Sequence, residues 1–149
     1  MEQPKKILVG HISITGNTKV IAELIAEGVR IAGHQAKVVS VTELNDAQEL
    51  KQYDGFILGS PTYHRDMVQG MKTFLFLAKK ADLSSKAGGA FGTYTHSGDA
   101  AKLIFDTMEY VLKMKTSDMG AFNVLEDDIS KTETITACHH YAKSVLEKL

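Results

Sequence analysis

The chain has 149 residues, a formal net charge of −1 at pH 7 and 44% hydrophobic residues. This length is typical of one domain, and the apolar content is too high for a disordered chain. A nearly neutral chain lacks the basic footprint of nucleic-acid-binding proteins, and no apolar stretch approaches the roughly 18 residues of a membrane span. We therefore expect one domain over residues 1–149, with neither nucleic acid nor a membrane as a partner.

The single cysteine, Cys138, excludes an intramolecular disulfide. The first residues are polar and lead into only a short apolar run, so they do not have the pattern of a signal peptide. A protein without disulfides and without a secretion signal is typical of a reducing compartment. We therefore expect a cytoplasmic location.

Short apolar runs alternate with segments of helical periodicity along the chain. The runs predict strands at residues 5–12, 36–41, 55–59, 89–94 and 119–125. Several are apolar on consecutive positions, as in strands buried on both faces of a parallel sheet. Apolar residues at helical spacing predict helices across residues 20–29, 67–75, 101–112 and 135–145, and residues 45–48 have the pattern of a cap for a further short helix. Residues 130–133 match a capping box, which predicts the start of the last helix.

Alternating strands and helices imply β-α-β units with right-handed crossovers, and thus a three-layer α/β sandwich. Ligands of such sheets bind beyond the carboxyl ends of the strands. The loops that follow the first, third and fourth predicted strands are therefore the candidate site.

The first of these loops combines three hydroxyls, one amide and one glycine: Ser13, Ile14, Thr15, Gly16, Asn17 and Thr18. Hydroxyls and backbone N–H groups at the start of a helix can surround a phosphate without a cationic side chain. A simple helix cap would need only one such hydroxyl. The loop lacks the glycine and lysine pattern of a nucleotide-hydrolysing P-loop and the G-x-G-x-x-G of a dinucleotide site.

This loop resembles the [S/T]-x-T-G-x-T phosphate loop of the flavodoxin family, and the resemblance extends over nearly the whole chain. Residues 59–63 (GSPTY) and 91–98 (FGTYTHSG) resemble the two loops that hold the flavin ring, and look closest to the flavodoxin module of flavodiiron proteins. The resemblance implies FMN as cofactor, a five-stranded parallel sheet of order 2-1-3-4-5, and electron transfer between redox partner proteins. It also implies that further cofactor contacts come from Pro61, Thr62, Tyr63, His64, Thr93, Tyr94, Thr95, His96, Ser97 and Gly98.

Tyr63 is the residue that we expect to stack on the flavin, because an aromatic ring offers a large flat contact. Either Tyr94 or His96 is expected to cover the other face of the ring. The residues that follow Tyr63 are His64 and Arg65, and neither is glycine. A positive φ at these positions would therefore cost roughly 1 kcal/mol more than at glycine.

The sequence also departs from the usual flavodoxin pattern, since it is nearly neutral and has no tryptophan. Three functions therefore stay open. The first is an electron carrier without catalytic side chains. The second is a small NAD(P)H-dependent flavin or quinone reductase. The third is an interaction module that has lost its cofactor, although the intact hydroxyl loop argues against it.

Four other residues are of types that often have a chemical role. His11 lies in the first predicted strand, and we expect a packed, hydrogen-bonded core residue. Cys138 lies on the apolar stripe of the last helix and is expected in the core. His139 and His140 are adjacent on that helix, and adjacent helical residues do not face each other. We therefore expect solvent-exposed side chains there and no metal site.

Overall fold

The computed structural model describes residues 3–149. In chain order its elements are β1 (Lys6–His11), α1 (Asn17–Ile31), β2 (Gln35–Ser40), α2 (Ala47–Leu50), β3 (Gly55–Tyr63), β4 (Asp66–Met67), α3 (Gln69–Ala81), β5 (Ala87–Tyr94), α4 (Asp99–Asp106), β6 (Lys115–Thr116), β7 (Phe122–Leu125) and α5 (Thr132–Leu146). Short 3-10 turns lie at Val41–Glu43 and Glu126–Asp128, and a π-helical turn at Thr107–Val111 continues α4. Within this described part of the chain, no helix is long and apolar enough to cross a membrane.

The main strands pair in parallel in the order β2-β1-β3-β5, and both β6 and β7 pair in parallel with the free side of β5. The α/β class and the strand order expected from the sequence are therefore confirmed. Because the pairing is parallel, the carboxyl ends of β1, β3 and β5 lie at one edge of the sheet. That edge carries the three loops that the sequence indicated.

Two apolar clusters, one on each face of the sheet, form the core. Helices α1 and α5 cover one face, where Ile21 and Val145 belong to the same fully buried cluster. Helices α3 and α4 cover the other face, where Phe74 and Ile104 belong to the second cluster. Strand β3 is buried from Gly55 to Pro61, which explains its unbroken apolar sequence.

The strand predicted at residues 119–125 is shorter than expected, because β7 begins only at Phe122, and a separate short strand, β6, precedes the predicted run. β6 pairs with the start of β5 and β7 pairs with its end, so the strand that borders β5 has a gap between them. The hydroxyl of Tyr141, from α5, fills this gap: it accepts from the N–H of Ala90 at 3.0 Å and donates to the carbonyl of Gly120 at 2.7 Å. Burial raises the pKa of Tyr141 to about 12, so the hydroxyl keeps the proton that it donates.

The two predicted helix starts have different outcomes. The cap of α2 is confirmed, because the Asp46 carboxylate accepts from the N–H of Gln48 at 2.9 Å. The capping box of α5 is wrong, because the residue that caps this helix is Lys131 and it makes no side-chain cap bond. Instead, the hydroxyl of Thr134 donates to the carbonyl of Asp128 at 2.5 Å, which connects the helix to the preceding 3-10 turn.

The last helix confirms the prediction for Cys138 and corrects one of the histidines. Cys138 is fully buried, and this burial raises the pKa of its thiol to about 12. His140 is exposed, as expected, but His139 is only partly exposed. The His139 Nε2 lies 2.9 Å from a carboxylate oxygen of Glu27, although the alignment is too poor for a hydrogen bond. The close packing of α1 against α5, which shields this ring, was not visible in the sequence.

Replacing Tyr141 by phenylalanine is expected to lower the free energy of unfolding by about 1–3 kcal/mol, because the substitution leaves the N–H of Ala90 and the carbonyl of Gly120 without a partner. Urea denaturation of the two proteins measures this difference. The matched control is Tyr110→Phe, at an exposed tyrosine whose loss of a hydroxyl should change stability by less than about 0.5 kcal/mol. Equal effects of the two substitutions would contradict this role of Tyr141.

Candidate functional site

The first loop of the site runs from β1 into α1 and turns at Gly16. Gly16 caps α1 with a φ of 93°, a left-handed conformation that favours glycine. Its N–H donates to the hydroxyl of Ser13 at 3.0 Å, which closes the loop. Ile14 and Thr15 lie at the exposed tip of this turn.

Several N–H groups of this loop have no protein acceptor. Within residues 3–149, no hydrogen bond uses the N–H of Thr15, Asn17 or Thr18. These groups lie at or just before the first turn of α1, where the helix dipole favours a negative charge. Together with the hydroxyls of Ser13 and Thr15 they form a donor set for a phosphate.

Thr18 connects the first loop to the end of β5. Its hydroxyl lies 2.9 Å from the hydroxyl of Thr93, and both side chains are almost completely buried. The two residues are 75 positions apart in the chain. This hydrogen bond brings together two stretches that the sequence had assigned to one site, and the Thr18 N–H has no acceptor within residues 3–149.

The second loop is a tight hairpin, because β3 extends to Tyr63 and pairs in antiparallel with the short strand β4. Tyr63 is opposite Asp66, so His64 and Arg65 form a two-residue turn with φ values of 50° and 62°. Positive φ at both positions is typical of a type I′ turn, which usually contains Asn-Gly. The sequence missed β4, since it placed Met67 on a helical stripe.

Two hydroxyls fix this hairpin to its neighbours. The Ser60 hydroxyl donates to the carbonyl of Pro61 at 2.8 Å and accepts from the N–H of Val68 at 3.1 Å. The Thr62 hydroxyl accepts from the N–H of Ala100, at the start of α4, at 3.1 Å. Pro61 is buried and Thr62 is partly buried, so Tyr63, His64 and Arg65 form the exposed tip. Ser60 was not among the site residues expected from the sequence, although its place at the end of an apolar strand could have indicated it.

The third loop follows β5 and leads into α4. Thr95 and His96 are exposed, and the Ser97 hydroxyl donates to the Asp99 carboxylate at 2.7 Å. At Gly98, a Cβ atom would lie 2.7 Å from the amide of Asn123 in β7, so a larger residue there would require the Asn123 side chain to move. Asn123 is thus a neighbour of this loop that the sequence analysis missed.

Tyr94 is partly buried at the end of β5. It lines an open cavity of about 730 Å³ between β7 and the start of α5, together with Asn123 and Lys131. His96 does not line this cavity. Which of the two covers the second face of a flavin stays a prediction.

His11 ends β1, two residues before the first loop, and it is buried as expected. The expected hydrogen bond is wrong for one ring nitrogen, because Nδ1 has no partner within the described residues. Burial, and then the nearby charge of Lys19, lower the pKa of His11, so a neutral ring is favoured. In the described part of the chain, no group of three or more acidic, histidine or cysteine side chains is arranged to hold a metal ion.

Comparison with known proteins decides the family. The model of the flavodoxin family matches residues 9–141. This chain belongs to the flavodoxin family. A solved structure described as a flavodoxin from the domain Archaea superposes with a TM-score of 0.87 at 28% identity, covering 96% of this chain and 97% of that one. Probable flavodoxin 2 of Bacillus subtilis is 29% identical, with 76% of each chain covered.

Longer flavoproteins are also similar. Putative diflavin flavoprotein A 2 of Thermosynechococcus vestitus is 34% identical over 66% of this chain, and the flavo-diiron protein FprA2 of Clostridium acetobutylicum is 29% identical over 85% of it. The match spans only 18% of the first protein and 34% of the second. This flavodoxin-family chain is therefore similar to one segment of those proteins.

FMN is the cofactor of the flavodoxin family, and the residues of this chain fit it. The first loop supplies unpartnered N–H groups and hydroxyls for a phosphate. Tyr63, which is 44% exposed, leaves a flat aromatic surface at the same edge of the sheet. The loop between Thr93 and Gly98 follows β5, the strand next to β3, and therefore lies beside Tyr63 at this edge.

The two-residue turn at His64 and Arg65 should become more stable when it carries Asn-Gly, the usual sequence of a type I′ turn. The double substitution His64→Asn and Arg65→Gly is expected to raise the free energy of unfolding of the cofactor-free protein by about 1 kcal/mol, since both residues have a positive φ. Urea denaturation measures the free energy of unfolding. The control is Lys37→Gly, which should destabilise the protein because it places glycine in the regular strand β2. A double variant less stable than the parent would contradict the turn geometry.

Proposed function

We propose that this flavodoxin-family chain is a single FMN-binding domain that passes electrons between redox proteins. The observation that carries the proposal is the set of free N–H groups at Thr15, Asn17 and Thr18, next to the hydroxyls of Ser13 and Thr15. A set of neutral donors at a helix start suits the phosphate of FMN and not a pyrophosphate, which would need the glycine-rich turn of a dinucleotide site.

The chain's own residues bind and orient the cofactor. The loop from Ser13 to Thr18 would hold the phosphate, and Tyr63 would cover one face of the ring. The loop from Thr93 to Gly98 would border the ring on the other side, and the bond between Thr18 and Thr93 holds the start of α1 to the end of β5. When bound, FMN supplies the one- and two-electron chemistry, so the protein contributes position and electrostatics.

An electron carrier fits the polar groups around the site better than an enzyme does. Two carboxylates of the second and third loops are engaged, Asp66 with the ammonium group of Lys72 and Asp99 with the Ser97 hydroxyl. Neither is poised as a general acid or base. The exposed residues of the three loops include no carboxylate, and an exposed flavin edge among them would be open to a protein partner.

Thr15→Ala is expected to weaken FMN binding by roughly 1.5–3 kcal/mol, because it removes a hydroxyl that donates to a charged phosphate. The measurement is a fluorescence titration of the cofactor-free protein with FMN. The control is Thr136→Ala, at an exposed threonine on α5 far from the loop, which should leave the affinity unchanged. Riboflavin, which has no phosphate, should bind far more weakly than FMN. Equal affinity for FMN and riboflavin would disprove the phosphate site.

The FMN-loaded protein is expected to be inert to NADPH alone, because none of its loops provides a dinucleotide motif. After reduction by dithionite it should reduce a soluble ferric cytochrome. Two ferric haems each take one electron from one reduced flavin, and the flavin releases its protons to solvent. Stopped-flow absorbance at the flavin and haem bands measures both reactions. Rapid bleaching of the flavin by NADPH alone would instead identify a nicotinamide-dependent reductase.

A further inference from the structure

The face formed by α3 and the end of α4 carries a groove that the flavin site does not use. The groove encloses about 350 Å³ between α3 and the π-helical turn. Its walls include Leu75, Phe76, Thr107 and Val111, with Lys72 and Lys79 at its sides. Among residues 3–149, no acidic side chain lines it.

Large apolar side chains on this face are unusually exposed. Phe76 is 73% exposed and Tyr110 is 64% exposed, and Val111 and Leu103 are also largely accessible. Single exposed apolar residues are common, but several on one face of a soluble domain mark an interaction site. Phe76 and Val111 line the groove from opposite sides, so the patch is continuous across the two helices.

The π-helical turn shapes the far wall of the groove. The N–H of Leu112 donates to the carbonyl of Thr107 at 3.0 Å, five residues earlier, and the Thr107 hydroxyl donates to the carbonyl of Leu103 at 2.8 Å. The extra residue in this turn changes the direction of the side chains that follow it, and such turns occur frequently at functional sites. Here Tyr110 and Val111 point to solvent, while Met108 stays in the core.

The charges on α3 define which partner would fit. Lys72, Phe76 and Lys79 are spaced i, i+4 and i+7, so they lie along one face, with the two lysines about 10 Å apart along the helix axis. Lys79 makes no ion pair within residues 3–149, whereas Lys72 pairs with Asp66. The complementary surface is a helix with two carboxylates two turns apart and apolar residues between them.

We propose that this α3/α4 groove is a docking site for an acidic amphipathic helix of a partner protein. The apolar face of that helix covers Phe76 and Val111. One of its carboxylates pairs with Lys79, and the second approaches Lys72, which shares its charge with Asp66. This binding mode places an amphipathic helix in an apolar groove between two helices. It does not depend on the flavin, so it stands apart from the proposed electron transfer.

A second copy of this chain is a poorer occupant. A two-fold contact brings the same patch of both copies together. Lys79 of one copy would then face the same basic patch of the other, and within residues 3–149 no carboxylate lines the groove to pair with it. The charge of the groove therefore favours a different, acidic chain.

The test uses the full chain and a fluorescent synthetic peptide of about 20 residues, long enough to form a helix. The acidic peptide carries Glu at positions i and i+7 and Leu at i+3 and i+4, and its counterpart carries Lys in place of the two Glu residues. Fluorescence anisotropy should show the acidic peptide binding at least about tenfold more tightly, with the difference falling at high salt.

Neighbouring lysines supply the matched controls. Lys79→Glu should weaken binding of the acidic peptide about tenfold, whereas Lys80→Glu, with the same change in net charge but outside the groove, should change it less than about twofold. Phe76→Ala should weaken it at least about fivefold, and stability should be preserved because Phe76 is exposed.

Three results would overturn the proposal. The first is equal binding, or no binding, of the acidic and basic peptides. The second is an equal effect of Lys79→Glu and Lys80→Glu. The third is self-association of the chain in sedimentation that Phe76→Ala abolishes, which would assign the groove to a second copy. Circular dichroism of each variant checks that the fold is intact.

Discussion

The central strands β3 and β5 are buried on both faces over most of their length. Their side chains become accessible only at the carboxyl ends of these strands. This burial determines where the protein binds its ligand. The parallel pairing of β1, β3 and β5 brings the loops that follow them to this edge. The hydrogen bond between Thr18 and Thr93 then closes the edge, because it joins the start of α1 to the end of β5.

Much of the fold could be predicted because its signals are local. Consecutive apolar residues identified the strands, helical spacing identified the helices, and Asp46 identified a cap. The features that were missed depend on contacts distant in the chain. The gap between β6 and β7 is filled by Tyr141, which is 51 residues from Ala90. The capping box of α5 was wrong because a carbonyl in the preceding turn, that of Asp128, binds Thr134.

The candidate site was predictable to a similar extent. The sequence named the three loops and their residue types, since hydroxyls and glycine before a helix have a direct chemical meaning. It did not indicate which hydroxyls bind the protein itself: Thr62 holds α4, and Thr18 and Thr93 hold each other. It also missed Ser60 and Asn123, because their roles depend on neighbours that only the folded chain brings together. The hairpin at His64 and Arg65 formed despite an unfavourable turn sequence, so the pairing of β3 with β4 outweighs the local preference.

The burial of Cys138 allows local unfolding of this flavodoxin-family chain to be measured through its own thiol. The chain has one cysteine, and the folded protein both covers the thiol and keeps it protonated. A thiolate-seeking reagent therefore reacts only when α5 separates from the sheet, so the rate of modification counts these openings without an introduced label. Reagents that label thiols would leave the folded form untouched, and a cysteine added at the surface could be labelled selectively.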